Sequence, residues 1–230
     1  MRLSVDIGGT FTDCVVQHDG GIEFYKAPTT PPDPVRGMLD AIGKAATAND
    51  ETLDECLGRV EQIVHGTTLA TNLLLTGRGA KVGFLTTAGF REVLEMRRGI
   101  RNLDHAMFDQ VRAPFEPLVP RALRFGIAER TLYTGEIDER LDETGVEEAT
   151  RAMLSEGCEA VAIGFLHAYA NPANEQRAKA IVQRCAPETH VICSHEVLPT
   201  LGEFERFSTT VVSAHVGPAV STYLRRLDDQ

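Results

Sequence analysis

The sequence predicts an α/β fold in which a mixed sheet is flanked by helices. Three observations carry this. The first 26 residues hold three apolar or alternating runs, broken at Gly8-Gly9 and at His18-Asp19-Gly20-Gly21; such runs between glycine turns read as strands joined in hairpins. From residue 33 onward, helical and strand periodicities alternate. The composition, 43% hydrophobic and 24% charged over 230 residues, is that of a chain able to bury a sizeable core.

The elements follow in order. Residues 2–7 read as a buried strand, 12–17 as a second and 22–26 as a third. Residues 28–32 are a proline-stiffened linker. Asp33 and Pro34 then start a helix, as N-cap and first-turn proline, with Val35, Met38, Leu39, Ile42 and Ala46 at helical spacing. A buried strand is expected at 61–65, a helix at 67–76 closed near Gly77, a strand at 81–86 and a helix at 90–97. The pattern weakens from 99 to 144, where Pro114, Pro117 and Pro120 mark a meander with room for a short strand at 128–132. Order returns with a helix at 146–155 ended by Gly157, a strand at 160–166, a helix from Asn171-Pro172 to Cys185, and a strand at 191–193. Residues 203–227 read as helix with a break near Gly217-Pro218.

Charge and cysteine content narrow the function classes. The formal net charge is −10, which disfavours non-specific nucleic-acid binding. The basic stretch Arg97, Arg98, Arg101 is too short to reverse it. Five scattered cysteines, never spaced C-x-x-C, suggest neither a disulfide framework nor a zinc site. No signal peptide or membrane-length apolar run is visible, so a cytoplasmic protein without membrane partners is expected.

The most informative segment is Val5-Asp6-Ile7-Gly8-Gly9-Thr10-Phe11-Thr12-Asp13. Paired glycines let a backbone approach a bulky anion, and their N–H groups with that of Thr10 can form an anion nest. A carboxylate beside such a nest repels phosphate unless a cation lies between. Asp6 therefore implies Mg²⁺, held through water because magnesium sheds its shell reluctantly. Hydroxyls of Thr10 and Thr12 can add hydrogen bonds, and Asp13 is placed to orient a nucleophile or a second water. No G-x-x-x-x-G-K-[ST] or G-x-G-x-x-G occurs, and a strand rather than a helix follows the glycines. Strand, Gly-Gly-Thr, strand is the hairpin phosphate clamp of actin-like ATPases and sugar kinases; a plain tight hairpin is the competing reading.

A second cluster, His65-Gly66-Thr67-Thr68-Leu69-Ala70-Thr71-Asn72, lies where a strand meets a helix. Ligands bind at such edges, and a helix N-terminus favours anions. Thr67 joins the cofactor-binding candidates; His65 and Thr68 join Asp13 as catalytic candidates. The rival reading makes Thr67 an N-cap and His65 a satisfied histidine. Arg97 and Arg98 end a helix, where cations are favourable anyway. Glu203, Arg206, Ser208, Thr209 and Thr210 form a polar run that is either a site or capping and surface pairs. His167, His190 and His195 lack ligand partners at regular spacing and read as structural.

Taken together, these blocks resemble the N-terminal domain of hydantoinase A/5-oxoprolinase proteins. The resemblance rests on the Asp6 and His65 blocks, on Lys26-Ala27-Pro28-Thr29-Thr30, on Thr87-Ala88-Gly89-Phe90-Arg91-Glu92-Val93-Leu94-Glu95, and on Glu203-Phe204-Glu205-Arg206-Phe207-Ser208-Thr209-Thr210-Val211. It implies an actin-like, ribonuclease-H-like fold, and it divides the chain into an N-terminal domain at 1–198 and a truncated start of the hydantoinase A domain at 199–230. It further implies ATP and Mg²⁺ as cofactors, and phosphorylation of an amide oxygen so that water can open a cyclic amide. A ketone-carboxylase subunit and a non-catalytic single-lobe assembly module are the alternatives. The implied partners are a small cyclic amide or ketone, a hydantoinase-B-like subunit and the C-terminal hydantoinase A domain; the 230 residues alone are expected to be inactive. Two stretches depart from the family pattern: Ser213-Ala214-His215, where Asn-Ala-Tyr is usual, and 96–110.

Overall fold

The computed structural model describes residues 1–30, 33–99 and 115–228. Pro31 and Pro32 of the linker, Arg101 of the basic stretch, Pro114, and most of the divergent stretch at 96–110 lie outside them. The chain forms two compact units, Met1–Arg78 with Ala219–Gln230, and Gly79–Pro218. They divide after Arg78, within the stretch the sequence reading assigns to one lobe ending at 198, and after Pro218, beyond it.

The first unit opens with β1 (Arg2–Ile7), β2 (Phe11–His18) and β3 (Gly21–Pro28), an antiparallel meander as expected. Alternation sets its two faces. Leu3, Val5, Ile7, Cys14 and Val16 are buried, whereas Ser4, Asp6 and Asp13 are exposed. Helix α1 (Pro34–Ala48) covers the buried side with Val35, Met38, Ala41, Ile42 and Ala45. Gly37 allows its close approach, since a Cβ there would meet the Pro28 carbonyl oxygen at 2.9 Å. A short helix that the sequence reading missed, α2 (Leu53–Gly58), is held by a capping box between Thr52 and Glu55.

Strand β4 (Gln62–Thr67) then runs parallel to β1, giving the order β3-β2-β1-β4. It was expected to be buried, and it is not: Ile63 and Val64 are 47% and 55% exposed. The reason is position, because within this sheet β4 is an edge strand paired to β1 alone. Helix α3 (Leu69–Thr76) follows with no buried residue. It closes at Gly77, in the left-handed region at φ 64°, with the Arg78 N–H donating to the Leu73 carbonyl (3.1 Å). Residues 219–228 return to this unit and place Tyr223 in its core.

The second unit contains β5 (Val82–Thr87), α4 (Val93–Met96), β6 (Arg124–Ile127), β7 (Arg130–Thr131), β8 (Ile137–Glu139), α5 (Glu143–Ser155), β9 (Ala160–Gly164), α6 (Ala173–Cys185), β10 (His190–Cys193), α7 (Ser194–Val197) and most of α8 (Glu203–Asp228). Its main sheet has the order β10-β9-β5-β6 and is parallel throughout. Every residue of β5 and β9 is buried, as central strands of such a sheet require. Phe84 and Phe207 meet edge to face at 5.4 Å in its core.

Three expectations change here. Helix α4 is shorter than 90–97, ending where Arg97 takes φ 55°. Strand β6 escaped notice because it begins with a charged residue, Arg124. That guanidinium is fully buried yet satisfied by the Val119 and Arg91 carbonyls and by Glu95. The expected break at Gly217-Pro218 is absent: α8 continues through Pro218, which removes one helical donor without ending the helix. No helix among the described residues is long and apolar enough to cross a membrane.

Candidate functional site

The loop between β1 and β2 is a tight turn closed by a hydrogen bond from the Gly8 N–H to the Phe11 carbonyl (3.0 Å). A Cβ on Gly8 would lie 3.0 Å from that same oxygen, so the turn needs glycine there. Thr29 braces the loop from behind. Its N–H donates to the Thr10 carbonyl (2.9 Å) and its hydroxyl to the Gly8 carbonyl (2.9 Å).

A cleft of about 490 Å³ lies beside this loop, within the first unit. Its lining brings together Gly8, Gly9 and Thr10 with Thr67, Asn72 and Arg78. None of its twelve lining residues is acidic, although the chain carries 33 acids to 23 bases. Of these twelve, Arg78 alone is charged. Four residues proposed from sequence therefore share one concavity: Gly8, Gly9, Thr10 and Thr67. Thr29, Asn72 and Arg78 were not assigned to the site beforehand. The i, i+4 spacing of Thr68 and Asn72 carried a signal for Asn72, since its amide donates to the Thr68 hydroxyl (3.2 Å).

The remaining candidates are placed differently. Asp6 and Asp13 face each other across the β1–β2 ladder, on the exposed face. Ile7 lines the cleft while Asp6, its neighbour, points to the opposite side of the sheet. Asp13 pairs with Lys26 at 3.0 Å; among the described residues the Asp6 carboxylate has no hydrogen bond or ion pair. Thr12, expected to bind a ligand, is fully buried, with its hydroxyl engaged with that of Thr29 (3.1 Å).

His65, expected to be catalytic, has Nε2 of its imidazole 2.5 Å from the Tyr223 hydroxyl. Burial holds the imidazole below its ordinary pKa, so it is neutral near pH 7. Thr67 serves the first turn of α3, its hydroxyl accepting from the Leu69 N–H (3.1 Å). Thr68 is the N-cap by position, and its hydroxyl accepts from Asn72 instead of a backbone N–H.

In the polar run at the start of α8, Arg206, Thr209 and Thr210 are engaged within the protein. Arg206, fully buried, donates to the Phe165 carbonyl (2.8 Å), the Thr200 carbonyl (3.1 Å) and the Ser194 hydroxyl (3.1 Å). Thr209 and Thr210 bond back to carbonyls one turn earlier. Arg98 pairs with Glu205, and Arg97 lies over the Phe115 ring. His195, read as structural, has a neighbourhood that spacing did not reveal: Glu175, Cys193 and His195 place ligand-type atoms within 4.8 Å of one another. These groups are already occupied. The Glu175 oxygens accept from Ser194, from the Phe165 and His195 N–H groups and from the His195 ring, and burial pushes the Cys193 thiol far up.

A mixed sheet with a glycine hairpin beside an acid-free cleft, together with an all-parallel second unit, defines an α/β protein with sheets flanked by helices. Residues 2–186 match the hydantoinase/oxoprolinase N-terminal region, and the chain belongs to that family. It is 37% identical to caprolactamase subunit alpha of Pseudomonas jessenii, over 99% of this chain and 33% of that protein. It is 33% identical to the acetophenone carboxylase gamma subunit of Aromatoleum aromaticum, over 93% of this chain and 31% of that one. Its fold matches that of nucleotide-free acetone carboxylase with a TM-score of 0.90 at 27% identity, covering 100% of this chain and 34% of that one. The chain thus spans about a third of the length of the curated relatives named here.

Proposed function

We propose that this chain is the phosphate-binding, N-terminal domain of an ATP-dependent cyclic amide hydrolase and acts as part of a larger protein. The observation that carries the reading is the acid-free cleft onto which the Gly8-Gly9-Thr10 loop and Thr67 open. Backbone N–H groups at a glycine turn, a nearby helix N-terminus and one arginine suit a phosphate chain. Asp6 is the proposed Mg²⁺ contact, through water: it is exposed, makes no hydrogen bond or ion pair among the described residues, and stands opposite the Lys26-paired Asp13 on the face of the sheet away from the cleft lining, so the metal would meet a phosphate beyond the Gly8-Gly9 turn and not inside the cleft. ATP, when bound, supplies the phosphoryl group that turns an amide oxygen into a leaving group.

The order β3-β2-β1-β4 with an antiparallel β2 supports the actin-like, ribonuclease-H-like reading of the first unit. Its similarity to caprolactamase subunit alpha supports a cyclic amide as substrate. A family-domain boundary near 198, a hydantoinase-B-like partner and a following hydantoinase A domain belong to the same proposal. On this reading the 230 residues alone do not turn over substrate.

A ketone carboxylase is the second reading, favoured by the likeness to the two carboxylases. The test is ADP release by the longer protein with its partner subunit. Release stimulated by a lactam supports the amidase; release requiring both bicarbonate and a ketone replaces it with the carboxylase. Asp6→Ala is expected to lower turnover about a hundredfold, near 2.7 kcal/mol of activation free energy. Unchanged turnover in that variant defeats the assignment of Asp6 and of the loop.

A further inference from the structure

We propose that Arg78 is the cationic contact for a phosphate-bearing anion held at the Gly8-Gly9-Thr10 loop. The inference rests on the phosphate-binding reading above and adds to it the residue that supplies the positive charge. Arg78 lines the same cleft as the loop. Its backbone is fixed, because Gly77 closes α3 and the Arg78 N–H is tied to the Leu73 carbonyl. Its guanidinium is exposed and, among the described residues, has no ion pair or hydrogen bond.

Being unpaired does not set Arg78 apart by itself, since Arg2, Arg36 and Arg140 also have no ion pair among the described residues; its place in the cleft lining does. Arg59, Arg121, Arg151, Arg177 and Arg184 each pair with a glutamate. In a chain whose acids outnumber its bases, 33 to 23, an arginine left unpaired beside an acid-free cleft is matched to a ligand of opposite charge.

Two further features of the cleft bear on an anion. Pro34, the first residue of the fifteen-residue α1, is part of the lining, and no side chain caps that helix. The first turn of α1 therefore borders the cleft, with the Asp33 carboxylate at the N-cap position beside it, 3.8 Å from the Arg226 guanidinium. The Asn72 amide stands close to Gly9, since a Cβ on Gly9 would be 3.3 Å from its nitrogen. The lining itself then offers neutral donors and one charge, that of Arg78. A guanidinium suits this role because its planar fork can engage two phosphate oxygens at once.

The test titrates the 230-residue chain with inorganic pyrophosphate and follows the backbone amide shifts of Gly8, Gly9 and Thr10. The expected result is saturable movement of these amides at millimolar probe, weakening with added salt. Arg78→Gln should weaken affinity about tenfold and flatten the salt dependence, with unchanged melting. Arg59→Gln, which alters a cation outside the cleft, should match the unaltered chain. Wild-type affinity in Arg78→Gln, or loop amides that never move, overturns the proposal. Failure of the reaction assignment is distinguishable: Arg78-dependent pyrophosphate binding, with no ADP release by the longer protein on lactams or on ketones with bicarbonate, upholds Arg78 and removes the enzyme reading. ADP release that depends on Asp6 but not on Arg78 removes Arg78 alone.

Discussion

Thr12 and Asp13 are adjacent in sequence and point to opposite sides of one strand, which separates their fates. Thr12 is sealed against Thr29, while Asp13 reaches solvent opposite Asp6. A motif written as a string holds both; the two-residue period of a strand sorts them. The glycines respond to the same scale of geometry. Gly8→Val should destabilise the chain by about 1–2 kcal/mol, because its Cβ crowds the Phe11 carbonyl that closes the turn. Gly9→Ala should cost less, since the group it meets is the movable Asn72 amide; urea melts of the two variants measure the difference. Glu129 offers a pH test. Burial pushes its carboxyl above the ordinary 4.5, against the pull of its bonds to Thr87 and Asn174. A raised folded value means that its contribution to stability is fully present below 4.5 and is lost as pH rises through the folded value. Glu129→Gln should flatten the slope of stability against pH in the window above 4.5, read from urea unfolding across pH.

Elements differ in how openly they announce themselves. The meander of β1, β2 and β3 was readable because alternation and glycine turns are local signals. Strands β5 and β9 were readable as apolar runs, and Gly77 and Gly157 marked helix ends by taking positive φ. Burial of β4 was misjudged because exposure depends on which strands pair, and Ile63 and Val64 look identical in a central or an edge strand. Strand β6 was missed because the burial of Arg124 rests partly on the Arg91 carbonyl and Glu95, 33 and 29 residues away in sequence. In the site, the glycine loop was legible, but the cleft was not, since Arg78 and Thr29 join it through folding alone. The end of α8 supplies a test at this scale. Tyr223→Phe removes the partner of the His65 Nε2 and should cost about 1–3 kcal/mol, seen as a lower melting temperature.

For the whole molecule, the decisive fact is that the first unit is discontinuous, completed by residues from 219 onward. The second unit is continuous, Gly79–Pro218, with its own parallel sheet and core. A chain ending at 218 should therefore keep the second unit folded and lose the first, so that calorimetry shows one of two transitions. Retention of both transitions would contradict the assignment of Tyr223 and Leu227 to the first core. No periodicity in the sequence signals this arrangement, because it depends on a return of the chain across 140 intervening residues, 79 to 218.

That discontinuity bears on biosynthesis. A ribosome delivers β1 to β4 early, yet the hydrophobic cluster around Leu3, Val5 and Ile42 gains Tyr223 only when residue 223 has emerged. The continuous second unit can close before then, because domains fold as units during synthesis. The nascent first unit must therefore wait, with its Tyr223 position open, through the translation of everything between. During that interval this protein is most exposed to chaperones and proteases.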